Sequence, residues 1–475
     1  MFENQHVVEE QSVVDEFMLV EGEHNWQQDS AIQAEPQLTI PFPSFEQQIR
    51  QLRLAIFVLL GVLCLAVLAI GLTIRKAQYE WYWEQARGAF RDAFFRQSDY
   101  LPAAQQGTPA ADVTAVSTTS LSLSDFSSNT GQKPTQLPSP SPLPTDHPTA
   151  LPSPSPTPFP LKEAPGAYYL SGFRYEKQKA NNCGPTTLSM MLSYWGWQGD
   201  QDTIGNVLKP TTRDKNVRWD ELVTYVKTSA GWLDSMFRVN GDFALIEKFI
   251  ANDYPVMIET GYYVNTLWVG HYLLVTGYDA NTKTLRVHDA TGGPDRDLSY
   301  DEVDELWQQF NRMFILVYPV EDQAKVAFML GADYTDEAQN RQRALERAEQ
   351  EAKADPKNPF AWFNIGSNLT YFDRYAEAIT AYDKAREIGL PWRMLFYQFG
   401  PYRAYFYSGR YQDVEDLASA TLEARPDLEE SFVWRGWARY MLGRTNEAIL
   451  DWNSALEVNP NFADAITALE YVGAR

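Results

Sequence analysis

The sequence predicts a mixed α+β domain followed by an all-α repeat array, with one transmembrane helix ahead of both. Three observations carry this. An uncharged apolar run, LAIFVLLGVLCLAVLAIGLTI, extends from Leu54 to Ile74. Between 163 and 322, the runs PVMIET, HYLLVTGY, TLRVHD and MFILVYP read as strands among helical patterns. From 325 to the end only helical patterns remain, and three stretches align at spacings of 36 and 34 residues. A chain of 475 residues is in any case too long for one ordinary core.

Residues 1–53 form the first segment. Up to residue 49 it holds ten acidic residues and no Lys or Arg, and it reads as a disordered acidic tail. At 1.5 Å per residue, the run 54–74 spans ~31 Å, enough to cross a hydrocarbon core of ~30 Å. It is too long and too far from the N-terminus for a cleavable signal peptide, so a membrane anchor is expected. A juxtamembrane helix continues over 75–100, where Trp81, Tyr82 and Trp83 suit the headgroup region.

Residues 101–162 are a Ser/Thr/Pro linker. Eleven of the chain's 28 prolines fall between Pro134 and Pro160. Such a run favours polyproline II and reaches ~80 Å at ~3.1 Å per residue. Arg75, Lys76, Arg87, Arg91 and Arg96 follow the anchor, against Arg50 and Arg53 before it, a bias that favours a cytoplasmic C-terminal part. The stalk composition favours exposure outside. Weighing the stalk more heavily, the expectation is a single-pass cell-membrane protein with extracytoplasmic folded domains.

Net charge is −22, from 62 acidic and 40 basic residues, which argues against nucleic acid as a partner. Of the two cysteines, Cys64 lies within the apolar run, so Cys64 and Cys183 form no disulfide framework. No zinc-type spacing exists, and no metal or cofactor is expected.

The aligned C-terminal stretches are WFNIGSNLTYFDRYAEAITAYDKAREIGL from Trp362, SGRYQDVEDLASATLEARP ending at Pro426, and FVWRGWARYMLGRTNEAILDWNSALEVNP ending at Pro460. Ala378, Val414 and Ala448 are equivalent, and Tyr382 shares its position with Trp452. Over 358–475 this resembles tetratricopeptide repeats, preceded by a degenerate helix at 335–354. The middle repeat departs from the pattern, with Gln398 and Tyr402 where Trp and Gly are usual. The resemblance implies a separable solenoid whose concave face binds a peptide or protein segment. The alternative is an array that only packs against the neighbouring domain.

In NNCGPTTLSMMLSYWGW, Asn181 to Trp197, Leu188, Met191, Leu192 and Trp195 form one helix face. Gly184-Pro185 marks the first turn, which puts Cys183 at a helix N-terminus, where thiolate is favoured. A free cysteine is more often a small buried hydrophobe, so a nucleophile needs a base nearby. His6 and His24 precede the anchor and His147 lies in the stalk, which leaves His271 and His288. His288 adjoins Asp289, and successive strand residues face opposite ways. A hairpin centred on Ala280 instead sets His271 directly opposite Asp289, with Cβ atoms ~5 Å apart.

Together NNCGPTTLSMMLSYWGW, GHYLLVTGYD and VHDATGG resemble the C-39-like cysteine peptidases, relatives of the bacteriocin leader peptidases with a papain-like fold. The resemblance covers about 168–320. It implies that Cys183 is the nucleophile, His271 the general base and Asp289 the orienting residue. It also implies that Gln178, in EKQKANNC, is the oxyanion-hole glutamine. The family often has Pro after the Asp, whereas Ala290-Thr291-Gly292 follow here. No ATPase segment accompanies these motifs, so leader processing coupled to export is not implied. The expected activity is hydrolysis of peptide bonds by a membrane-anchored cysteine peptidase. The alternatives are an inactive recognition module and a transglutaminase-like acyl transferase.

Overall fold

The structure, a computed structural model, describes residues 100–102, 104, 159–264 and 267–475. All belong to one compact unit, Leu72–Arg475. The expected acidic tail, anchor and juxtamembrane helix up to residue 99, and nearly all of the linker, lie outside the described residues. Among the described residues no helix is long and apolar enough to cross a membrane.

The first region runs β1 (Ala167–Tyr169), α1 (Cys183–Tyr194), α2 (Gln201–Leu208), α3 (Trp219–Ser229), β2 (Leu233–Arg238), α4 (Phe243–Ala251) and β3 (Val256–Val264). It continues with β4 (Leu267–Asp279), β5 (Thr284–Asp289), β6 (Gly293–Ser299), α5 (Tyr300–Gln308) and β7 (Phe314–Pro319). The strands form an antiparallel sheet in the order β2-β7-β3-β4-β5-β6, with β1 alongside the end of β4. Apolar residues alternate between its faces. Ile258, Leu273, Val275, Phe314 and Leu316 meet Leu245, Phe249 and Ile250 of α4. Met257, Leu274, Ile315 and Val317 instead meet Leu188, Met191 and Leu192 of α1 and Leu222 and Val226 of α3. The helix that opens with Cys183 is thereby laid on the sheet.

The β4–β5 hairpin differs from the expected register. Its loop is Ala280–Lys283, and the first pairs are Asp279↔Thr284, Tyr278↔Leu285 and Gly277↔Arg286. Continued unchanged, that register would set Asp289 opposite Leu274, on the face away from His271. A bulge at Thr276 shifts it by one residue, so that Val275 pairs Val287 and Leu273 pairs Asp289. Asp289 therefore lies diagonal to His271 on the same face, rather than directly opposite it. Gly277 is required at the bulge, because a Cβ there would sit 2.4 Å from the Tyr169 ring and 3.0 Å from the Tyr168 carbonyl.

The second region is helical: α6 (Gln323–Leu330), α7 (Ala332–Thr335), α8 (Glu337–Ala354), α9 (Pro359–Tyr371), α10 (Tyr375–Ile388), α11 (Met394–Tyr397), α12 (Gly400–Tyr407), α13 (Tyr411–Ala424), α14 (Glu429–Met441), α15 (Thr445–Val458) and α16 (Ala463–Tyr471). In the pairs α9/α10 and α14/α15 a glycine meets an aromatic ring. A Cβ on Gly366 would lie 2.6 Å from Tyr382, and one on Gly436 2.3 Å from Trp452. The α12/α13 pair exchanges the two sizes. Tyr402 takes the glycine position and Ala418 the aromatic one, both fully buried. Total volume is conserved, which cores tolerate best. The Tyr402 hydroxyl is satisfied by Thr421 Oγ1 at 3.2 Å and Ser431 Oγ at 3.0 Å.

The expectation of a separable array is corrected by the packing, because one continuous core joins the helices to the sheet. Trp268 packs on Phe310, Tyr397 and Phe360, with ring centroids 5.6, 5.7 and 6.1 Å away. Asn311 Nδ2 donates to Asn368 Oδ1 at 2.9 Å and Asn364 Nδ2 to the Gln308 carbonyl at 2.7 Å. Removing 358–475 would bare this aromatic cluster to water.

A second contact between the regions is acidic. Asp214 and Glu221 face Glu429, Glu430 and Asp464 around Arg218, whose Nη1 lies 3.7 Å from Glu430 Oε1. Burial, then the charge of neighbouring carboxylates, pushes Asp214 up to about 8 and Glu429 and Glu430 well above the usual range. These groups bind protons on folding, so their contribution is complete below the unfolded value near 4 and is lost as pH rises through about 8. The melting temperature should fall by ~5 °C between pH 5.5 and pH 8.5. Glu430→Gln should flatten that slope. A melting temperature independent of pH in both chains would contradict the protonated state of this contact.

Candidate active site

Cys183 is the first residue of α1, and its N-cap Asn182 makes no side-chain cap. Asn182 Nδ2 donates instead to Gln201 Oε1 at 3.0 Å. The first-turn N–H groups are thus left without a side-chain cap, and the Gly184 N–H helps to lower the thiol. Gln201 Oε1 also accepts from Lys179 N at 2.8 Å and Thr186 Oγ1 at 3.0 Å, while its Nε2 donates to the Lys177 carbonyl at 2.9 Å. One buried amide therefore pins the 177–182 loop to the start of α1.

His271 Nε2 and Asp289 Oδ1 are 2.8 Å apart. The carboxylate accepts the Nε2–H, which leaves Nδ1 as the nitrogen open to the Cys183 thiol, the other group that raises the imidazole. Asp289 is held by more than the imidazole. Its Oδ1 accepts from Thr291 N at 2.8 Å and Gly292 N at 2.9 Å, and its Oδ2 meets Arg296 Nη1 at 2.5 Å. Where the resembled family often has Pro, this turn supplies backbone donors. A Cβ on Gly292 would lie 2.5 Å from Asp289 Oδ2, and Gly293 has φ +118°. Both glycines of ATGG are thus needed for the carboxylate to be held.

Burial alone would raise the Cys183 thiol. The His271 hydrogen bond and charge, the Lys209 charge and the Gly184 N–H together bring it below its ordinary value. Burial would lower His271, but Asp289 and Cys183 bring it up to about 9. Asp289, despite its burial, is held well below the carboxylate range by His271 and the Gly292 and Thr291 N–H groups. All three shifts run toward a charged imidazole beside a thiolate, with an ionised carboxylate behind them.

The other residues fall as follows. The Gln178 N–H donates to the Ala290 carbonyl at 2.9 Å, and its side-chain Oε1 is buried without a partner. His288 stands apart from the pair: its Nδ1 accepts from Asp295 N at 3.2 Å, and its ring lies edge-on to Phe173. Three groups besides Gln201 were not read from the sequence. Lys209 donates to the Asn181 carbonyl at 2.5 Å, and burial brings its amine down to about 8. Glu259 accepts from Trp219 Nε1, and burial pushes its carboxyl up to about 8, leaving it neutral beside the pair. Arg296 reaches Asp289 from β6. Its place could be found only from the strand register. Among the described residues no group of three His, Cys, Asp or Glu side chains could hold a metal ion.

Residues 170–315 match the model of the Peptidase_C39 like family. Solved structures similar to this chain include a Bacillus anthracis protein described as a C39-like peptidase, with 17% identity over 32% of this chain and 97% of that one and a TM-score of 0.27. The peptidase domain of Streptococcus ComA, a bi-functional ABC transporter, has 15% identity over 31% and 99%, with a TM-score of 0.26. MamA has 18% identity over 30% and 88%, also with a TM-score of 0.26. No curated protein matches the chain.

The ion pair sets the pH at which the thiol reacts. Alkylation of Cys183 by iodoacetamide should already proceed at pH 7, with a midpoint below the ~8.5 of a free cysteine. His271→Ala should slow it at least tenfold at that pH. A rate that climbs only through ~8.5 in the parent chain would show an ordinary thiol.

Proposed function

We propose that this chain is a cysteine peptidase that hydrolyses peptide bonds through Cys183, His271 and Asp289. The observation that carries the reading is the 2.8 Å His271–Asp289 bond, together with the mutual influence of that imidazole and a thiol at a helix N-terminus. The match of 170–315 to the Peptidase_C39 like family supports the same reaction class. The Cys183 thiolate adds to the scissile carbonyl, and the resulting oxyanion is met by the Gln178 amide and the Cys183 backbone N–H. His271 then passes its proton to the leaving amine as the C–N bond breaks, giving a thioester. Water, deprotonated by His271, displaces the thiolate and releases the acid. Transfer of the acyl group to an amine would use the same thioester, but nothing at the site favours an amine over water.

We further propose that residues 54–74 anchor the chain in the cell membrane, with the folded regions outside the cytoplasm. The pairs α9/α10, α12/α13 and α14/α15 act as tetratricopeptide repeats that present a protein or peptide segment to the site. The start points of their second helices, Tyr375, Tyr411 and Thr445, support this by keeping the sequence period.

Cys183→Ala should abolish peptide turnover. Asp289→Asn should lower it and leave a remnant, since Asn can still orient the ring. Gln178→Ala should cost ~10²–10³-fold in kcat, the scale of one oxyanion donor. His288→Ala should be mild. A parent chain that alkylates at Cys183 yet cleaves no peptide from a broad library would point to a recognition module instead.

A further inference from the structure

A recess that the proposed chemistry does not use opens where β4 meets α11. Its cavity is small, about 40 Å³, and its walls include Tyr100, Tyr263, Leu267, Trp268, Trp392 and Arg393. Arg393 is only 7% exposed. Its Nη2 donates to Tyr397 Oη at 3.2 Å, and its Nε is buried with no acceptor. No carboxylate pairs with it among the described residues. Two other buried arginines are closely paired, Arg312 with Asp304 at 2.6 Å and Glu351 at 2.7 Å and Arg386 with Asp413 at 3.0 Å, and Arg341, whose Nε also lacks a hydrogen bond, still has Glu337 at 3.8 Å. Arg393 instead lies over the rings of Phe396 and Trp392, 5.1 and 5.5 Å from their centroids.

A desolvated guanidinium without an anion is costly to keep. Its planar fork matches a carboxylate, and aromatic walls suit the aliphatic stem that carries one. The recess is also tied to the site. Tyr397 Oη, which receives the Arg393 bond, donates to the Gly270 carbonyl at 3.4 Å, one residue before His271. Trp268 precedes His271 by three residues, ~10 Å along an extended strand; this odd offset turns the two side chains to opposite faces, but Cys183 packs against the same core as Trp268 and Tyr397. An extended peptide spans the same distance in about three residues.

We propose that this recess recognises a carboxylate on the substrate chain, about three residues from the bond offered to Cys183, with Arg393 as its counter-ion. The carboxylate can be an acidic side chain or the free C-terminus. That the ligand is a substrate rests on the peptidase reading; that the recess binds a carboxylate does not. The array thus contributes a specificity-determining residue to the site.

The test uses the full-length Cys183→Ala chain in detergent and measures binding of dye-labelled hexapeptides by fluorescence anisotropy. One pair differs by Glu against Gln, and a second pair by a free against an amidated C-terminus. At least tenfold tighter binding of the carboxylate member of either pair is expected, and the pair that discriminates identifies the source. Arg393→Leu should erase the preference, and Arg393→Lys should keep part of it. Equal binding within both pairs overturns the proposal, and this comparison needs no variant at Arg393. A preference unchanged in Arg393→Leu overturns it as well. Discrimination by the Cys183→Ala chain, with no turnover by the parent chain, would uphold the recess and sink the peptidase reading.

Discussion

One extra residue in β4 decides whether the site exists. The hairpin tip sets a register that would turn Asp289 away from His271, and the bulge at Thr276 reverses it. Much of the neighbourhood serves this step. Thr276 is buried, its carbonyl accepts from Leu170 N at 2.7 Å, and Gly277 leaves room for β1. The loop that leads from β1 to Cys183 is thus fastened to the strand that carries His271, at the point where the register changes.

With that register fixed, the electrostatics follow. A buried thiol or imidazole alone would prefer its neutral form. Here each favours the charged form of the other, and the pair is steadied by Asp289, itself held by Arg296 and two backbone N–H groups. Gln201 pins the loop 177–182 to the start of the helix that carries Cys183. The array reaches the strand that carries His271 through Tyr397, which donates to the Gly270 carbonyl and accepts from Arg393, so the second region does more than extend the chain. Its shared core with the sheet explains why a boundary drawn near 322 separates sequence patterns better than it separates packed units.

The inner strands β3, β4, β5 and β7 were legible because they are long apolar runs, and α1 because its apolar face keeps a helical period. Edge strands β2 and β6 were not, since LDSMFR and GPDRDLS carry the charges that edges need and show little alternation. The period of the array was legible from Ala378, Val414 and Ala448. The Tyr402–Ala418 exchange was visible only as a departure, because compensation requires knowing which positions face each other. At the site, a census of histidines leads to His271, and cross-strand reasoning places Asp289 on the correct face. The detail of that reasoning was wrong by two residues, because neither the loop length nor the bulge has a local signal strong enough to count. Gln201, Lys209 and Arg296 come from elements whose approach is set by tertiary packing.

The central claim, a charged imidazole beside a thiolate, is tested most directly at His271 itself. The ¹⁵N chemical shifts of its ring nitrogens, followed by NMR from pH 5 to pH 10, report its protonation. A midpoint near 9 is expected in the parent chain. Replacing Cys183 by Ala removes one of the two groups that raise it, so the midpoint should then fall. A midpoint near the ordinary ~6.5 that does not move on this substitution would mean that no such pair forms.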